Sequence, residues 1–121
     1  MLKEIKTFTH HYFIDENEHI QGEGKTYHNN GQLWGHSFYL NGNLHGEYKI
    51  YYENGQLWEH SFYLNGNRHG DFRRYNEDSE LEYATFYYQN KDLNVNPDAL
   101  TERDKTYIML SGRLPPRDQP C

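Results

Sequence analysis

Asn30–Glu53 reads NGQLWGHSFYLNGNLHGEYKIYYE, and the next stretch, Asn54–Glu77, reads NGQLWEHSFYLNGNRHGDFRRYNE. Of these 24 paired positions 17 are identical, and Glu47/Asp71, Tyr48/Phe72 and Lys49/Arg73 are conservative exchanges. A unit that restarts at once without a linker is one supersecondary element laid against its own copy. Each unit carries two Asn-Gly pairs, at Asn30-Gly31, Asn41-Gly42, Asn54-Gly55 and Asn65-Gly66. Asn-Gly between apolar runs is the strongest short hairpin signal, because both residues tolerate positive φ. The runs between them predict strands at Gln32–Leu40, His45–Tyr52, Gln56–Leu64, His69–Tyr75 and Leu81–Gln89, with weaker ones near Tyr12–Ile14 and Gly22–Tyr27. The fold class is therefore all-β: an antiparallel β-meander of stacked hairpins with a 24-residue period.

Working outward, the period fades. Asn17, Gly22, Glu23 and Tyr27 precede Asn41, Gly46, Glu47 and Tyr51 by one unit, and Leu81, Phe86 and Tyr87 follow Leu57, Phe62 and Tyr63. Eroded outer units are what a stacked array shows, since terminal copies face solvent and act as caps. The array takes residues 1–93, in units of about 6–29, 30–53, 54–77 and 78–93. Residues 94–112 predict a capping helix: Asn96 as N-cap, Pro97 in the first turn, Asp98 near the positive dipole end and Gly112 at the C-terminus. It is expected to cover the open edge of the last hairpin. Residues 113–121 form a Pro-rich, flexible tail ending in Cys121.

Within strands, alternation puts Leu33, Ser37 and Tyr39 on one side and Trp34, His36, Phe38 and Leu40 on the other. Gly31, Gly42, Gly55 and Gly66 belong to turns; Gly46 and Gly70 mark a bend or a close approach of a neighbouring strand. Trp34, Tyr51, Trp58 and Tyr75 recur with the unit, and a thin array cannot bury both faces, so these four are the expected exposed aromatic contact strip.

Composition excludes several classes. A net charge of −6, from 12 basic and 18 acidic residues, speaks against nucleic acid and makes a membrane surface an unfavourable partner. Mean hydropathy is −1.14, yet 17% of residues are aromatic, which disordered chains are not. No apolar run reaches a membrane span, no signal-peptide core opens the chain, and the only Cys is Cys121. A cytoplasmic or other reducing intracellular setting is the expectation. Repeated histidines, His36/His60 and His45/His69, lie two strands apart, about 9.5 Å, too far to share one zinc ion. Ser37 and Ser61 each follow a His and so face away from it. No catalytic residue, cofactor or metal site is expected, and the chain reads as a non-enzyme.

Tyr39-Leu40-Asn41-Gly42, then Gly46-Glu47-Tyr48, Tyr51 and Asn54-Gly55-Gln56-Leu57, with the second copy at Tyr63 to Gly66, Gly70-Asp71-Phe72 and Tyr75, resemble MORN repeats over roughly residues 10–92. The variant is the one seen in bacterial antitoxin-like and giant-virus MORN proteins, which would put a viral chain in host cytoplasm or virion. Gly24 stands where Tyr48 is expected, and the last unit lacks the Asn-Gly and His-Gly elements. The resemblance implies an elongated scaffold for protein–protein interaction that self-associates, here as a homodimer. Its alternatives are peripheral phospholipid binding and an antitoxin-like hold on a cognate toxin. A carbohydrate- or choline-binding hairpin repeat would be richer in Trp, of which there are 2.

Overall fold

The computed structural model describes residues 1–116; the end of the Pro-rich tail, with Cys121, lies outside the described residues. The strands are β1 (Lys3–Lys6), β2 (His10–Ile14), β3 (Gly22–Tyr27), β4 (Leu33–Leu40), β5 (Asn43–Leu44), β6 (Gly46–Tyr51), β7 (Leu57–Leu64), β8 (Asn67–Tyr75), β9 (Leu81–Tyr88) and β10 (Lys91–Asp92). They form one antiparallel sheet in the order β1-β2-β3-β4-β6-β7-β8-β9-β10, with β5 on β4. The meander of hairpins is as read from the period. Strand β1, which nothing in the period announces, is added outside β2 and pairs Lys3 with Ile14 and Lys6 with His11.

Two turn types alternate along the ribbon. Asn41-Gly42 (φ 52° and 85°) and Asn65-Gly66 (50° and 86°) have both residues left-handed, the two-residue hairpin turn. Asn30-Gly31 and Asn54-Gly55 differ, because only Gly31 and Gly55 have positive φ. There the N–H of Gly31 donates to the His28 carbonyl and that of Gly55 to the Tyr52 carbonyl, each at 2.9 Å, so the glycine closes a longer loop and a bulge follows. Both types recur without glycine, the longer loop also at Glu18 (φ 65°), whose N–H donates to the Asp15 carbonyl at 3.0 Å. Ser79 (φ 67°) takes the place of Gly55, and Gln89-Asn90 (46°, 70°) that of Asn65-Gly66. The structural period thus runs through β10, past Tyr87 where the sequence period ends.

Gly46 and Gly70 mark a bend, not a close approach. Their φ angles are 112° and 120°, while an added Cβ would meet only ordinary contacts, 3.7 Å to Phe38 and 3.5 Å to Phe62. A side chain is strained there by the backbone alone. The bend divides the return strand, so that Tyr63 pairs with Arg68 and Ser61 with Phe72, three residues of β8 facing Phe62 alone.

The C-terminal segment departs from the expected helix at its start. Asn96 caps a single 3-10 turn, Pro97–Ala99. The α-helix, α1 (Glu102–Ser111), is capped by Thr101, whose hydroxyl accepts from the Asp104 N–H at 3.0 Å while the Asp104 carboxylate accepts from the Thr101 N–H at 2.9 Å. Gly112 ends it at φ 73°. Leu100 cannot serve as the first residue of an apolar helix face because the chain is extended there (ψ 132°). The helix also covers a face, not an edge. Ile108 and Leu100 close over Phe86, with Leu93, Val95, Tyr88 and Met109 around them, and this is the main apolar core.

Candidate functional site

Cross-strand registers assign every strand residue to one of two faces. One carries Gly24, Ser37, Tyr48, Ser61, Phe72 and Thr85 in a row across the sheet. Ser37, Ser61, Phe72 and Thr85 are buried, because tyrosines of the next row lean across them. Tyr63 meets Tyr48 edge-on at 5.2 Å and Tyr87 meets Phe72 at 5.4 Å, while the Tyr39 ring settles over Gly24, 3.0 Å from where a Cβ would stand. Buried Glu59 on this serine face accepts from the Ser61 hydroxyl at 3.2 Å and has the Arg74 guanidinium 4.0 Å away.

The opposite, histidine face is built from two adjacent rows. Lys6, His11, Lys25, His36, Lys49, His60, Arg73 and Ala84 are successive cross-strand partners. Beside them stand the pairs Glu4/Phe13, Glu23/Phe38, Glu47/Phe62 and Asp71/Phe86. The hairpins β1–β2, β3–β4 and β6–β7 therefore each present an acid, a cation, an imidazole and a phenyl ring. His11, His36 and His60 Nε2 bond Glu4, Glu23 and Glu47 at 2.6, 2.8 and 2.8 Å, and each imidazole lies 5.1–5.5 Å from Phe13, Phe38 or Phe62. The His36 hydrogen bond is the main cause holding the Glu23 carboxyl below its ordinary range, against a desolvation push upward. In the last hairpin Ala84 replaces the imidazole, and Asp71 is met instead by Lys105 of α1 at 3.2 Å and by Arg73 at 3.0 Å.

Sequence reading missed this face, although a signal exists. Glu-x-Lys at Glu4, Glu23 and Glu47, and Asp-x-Arg at Asp71, alternate with His-x-Phe at His11, His36 and His60. The first copy escapes a fixed period because only 7 residues separate Glu4 from His11, against 13 between Glu23 and His36. The second histidine pair serves the turns. His45 and His69 Nδ1 accept from the N–H of Asn65 (3.4 Å) and Gln89 (3.1 Å), and Gln21 does the same for Asn41 at 3.0 Å. Gly42, Gly66 and Asn90 N–H donate to the carbonyls of Ile20, Leu44 and Arg68 at 2.8–3.0 Å, so each two-residue turn rests on the unit before it.

Of the four expected contact aromatics, Trp34 and Trp58 are 46% and 39% exposed, whereas Tyr51 and Tyr75 are half-buried. The bulge between Thr26 and Tyr27 overrides simple alternation. Trp34 lies against a hollow with Gly35, Ser37, Tyr39, Tyr48 and Ile50, on the serine face rather than beside His36 and Phe38. Trp34 and Trp58 stack on His28 (5.4 Å) and Tyr52 (5.3 Å). Tyr51 follows Ile50 and pairs with Leu57, which turns it to the other face, and Tyr75 pairs with Leu81 in the same way. The two tryptophans are brought into one series and the two tyrosines are not part of it. The Tyr51 and Tyr75 carbonyls tie units together, paired with His28 Nε2 at 2.9 Å and accepting from the Tyr52 hydroxyl at 2.7 Å.

Among the described residues no group of three or more His, Cys, Asp or Glu is placed to hold a metal ion, and no helix is long and apolar enough to cross a membrane. Residues 20–41 and 44–65 match the family model described as a MORN repeat variant. Each matched span holds one hairpin, β3–β4 and β6–β7, and β8–β9 is the same hairpin one period on. These spans pair each return strand with the strand after it, about half a unit out of phase with boundaries drawn at Asn30 and Asn54. No curated protein matches the chain.

Proposed function

This chain is a MORN repeat protein, and on that premise we propose that it is a non-catalytic scaffold that binds protein, a second copy of itself included. MORN repeats form a non-catalytic family associated with protein–protein or membrane interaction. The observation that carries the protein reading is the exposure of Trp34 and Trp58 one repeat apart on a sheet face that, among the described residues, no other element covers. Tryptophan held half out of water by stacking on a neighbour is a low-entropy anchor, since its ring is already fixed before contact. A lipid headgroup surface is the weaker fit. The net charge is −6, and on the histidine face Lys25 and Lys49 each have a carboxylate beside them, Glu23 at 3.9 Å and Glu47 at 3.8 Å. An antitoxin acting on its toxin is one form that protein binding takes.

A photo-crosslinking residue in place of Trp58 tests the reading in native cells. Protein adducts are expected, including one at twice the 14.6 kDa chain mass. Adducts to lipid alone, or recovery of the purified chain with floated anionic vesicles, would transfer the assignment to membranes. Absence of protein adducts at this position would refute the scaffold.

A further inference from the structure

We propose that the histidine face of β6–β7, beside α1, is the seat of a second amphipathic helix, contributed by a partner protein and carrying a lysine or arginine toward Glu47 and an acid toward Lys49. The inference rests on the protein-binding reading above and assigns it a surface and a ligand chemistry.

The chain itself shows what this face accepts. In the last hairpin it holds the segment 96–112. Ile108 covers Phe86, Lys105 meets Asp71, Asp98 accepts from Arg73 at 2.5 Å, and the Met109 methyl stands 4.0 Å from where a Cβ on Gly70 would lie. Asp71, Arg73, Phe86 and Gly70 are one copy of a set that the previous hairpin repeats as Glu47, Lys49, Phe62 and Gly46. Over the described residues no helix lies on that copy, where only the His60 imidazole stands against Phe62, and Leu64 and Leu110 beside it are 39% and 84% exposed.

The geometry has room for a helix. Along α1, Lys105 and Met109 track Asp71 to Gly70 while Ile108 and Gly112 track Phe86 to Tyr88, so the helix runs along the strands. One repeat is two strands, which translates α1 sideways by about 9.5 Å. Packed helices sit roughly 8–10 Å apart. A helix set over Phe62 by the repeat would therefore touch the sheet and α1 together. An open groove of about 690 Å³ already lies there, with Gly46, Phe62 and Leu64 on the sheet side and Thr106, Met109 and Leu110 on the helix side. Asp71 holds two cations, Arg73 from its own strand and Lys105 from the helix, and Glu47 has its own-strand cation in Lys49 at 3.8 Å, so a lysine or arginine from a helix would be its second.

The probe is a stapled peptide spanning residues 96–112, with the staple on its solvent side so that it enters as a helix. It is titrated into the full-length, isotope-labelled chain. Amide shifts are expected at Gly46, Phe62, Leu64 and Met109, with Trp34 and Trp58 unmoved. Glu47→Lys should weaken the peptide by about tenfold or more, a loss of about 1.4 kcal/mol. His60→Ala, which copies Ala84, should tighten it. A peptide with Lys105→Glu should fail on the parent chain and recover on the Glu47→Lys variant. No shift at Phe62 and Leu64 on either the parent or His60→Ala would overturn the proposal, as would binding indifferent to Glu47→Lys. If the peptide instead lowers the mass in light scattering, the groove belongs to a second copy and the proposal falls. None of these results bears on adducts at Trp58, so this inference and the broader scaffold reading fail separately.

Discussion

His69 shows how a repeated residue earns its place without touching a ligand. Its Nδ1 accepts the Gln89 N–H, its ring lies 5.1 Å from Tyr88, and burial holds the imidazole below its ordinary pKa. An acceptor nitrogen must be unprotonated, so the bond exists only in the neutral form. The folded chain binds this proton less readily than the unfolded one. The stabilisation is therefore complete above the ordinary histidine range, near 6.5, and is lost as pH falls through the lowered folded value. Protection of the Gln89 amide against hydrogen exchange should fall as pH drops below about 6.5, and His69→Phe should remove that dependence. A protection factor that stays flat across the range would show that the turn does not depend on this acceptor. The sequence made the recurrence of His45 and His69 plain but not its reason, because the acceptor and its N–H lie 20 residues apart. Gln89-Asn90 was illegible for a related cause: the turn lacks the Asn-Gly pair and is held by the Asn90 N–H donating to the Arg68 carbonyl, 22 residues away in sequence.

At the scale of elements, hairpins announced by Asn-Gly were legible, while β1 and the true start of α1 were not. Strand β1 repeats the chemistry of the other hairpins, Glu4 and Lys6 facing His11 and Phe13, with a connection too short to keep the period. The helix was placed too early because Asn96-Pro97 is a strong start signal that here opens only one 3-10 turn, and the Thr101/Asp104 capping box decides the α-helix. Its docking on a face changes what removing it does. Phe86 is 1% exposed under Ile108, so a chain ending at Val95 uncovers a phenyl ring that no imidazole shields, Ala84 standing where His36 and His60 do. That chain should aggregate or melt without a cooperative midpoint. Thr101→Ala, which removes only the cap, should cost about 1 kcal/mol and leave the melt cooperative. An unchanged midpoint and a monodisperse truncated chain would show that the array stands without its cap.

At the scale of the molecule, an open sheet must manage two edges and two faces. The first edge is β1, only four residues long with Lys3 and Lys6 at its ends, lying outside the first strand predicted from the sequence, near Tyr12–Ile14. Short, lysine-bearing edges resist strand addition, so a β-augmented dimer through the N-terminus is disfavoured. At the other edge the Leu93 N–H bonds the Phe86 carbonyl, and Asp92 accepts from the hydroxyls of Thr85 and Tyr83. The terminal strands are thus short at both ends, four residues in β1 and two in β10, which makes strand pairing the poorer route. The proposed self-association would then use the serine face, with Trp34 and Trp58 one repeat apart, where two identical patches meeting about a two-fold axis would close the assembly. Each copy brings a charge of −6, so like-charge repulsion opposes the pairing and salt relieves it. Light scattering should therefore show a mass rising from 14.6 kDa toward twice that value with concentration, and more readily at high salt. Trp34→Ser with Trp58→Ser should return it to the single-chain mass while the circular dichroism melt stays cooperative. A single-chain mass at the highest attainable concentration in high salt would defeat the dimer, and a doubled mass that survives both substitutions would remove the tryptophans from its interface.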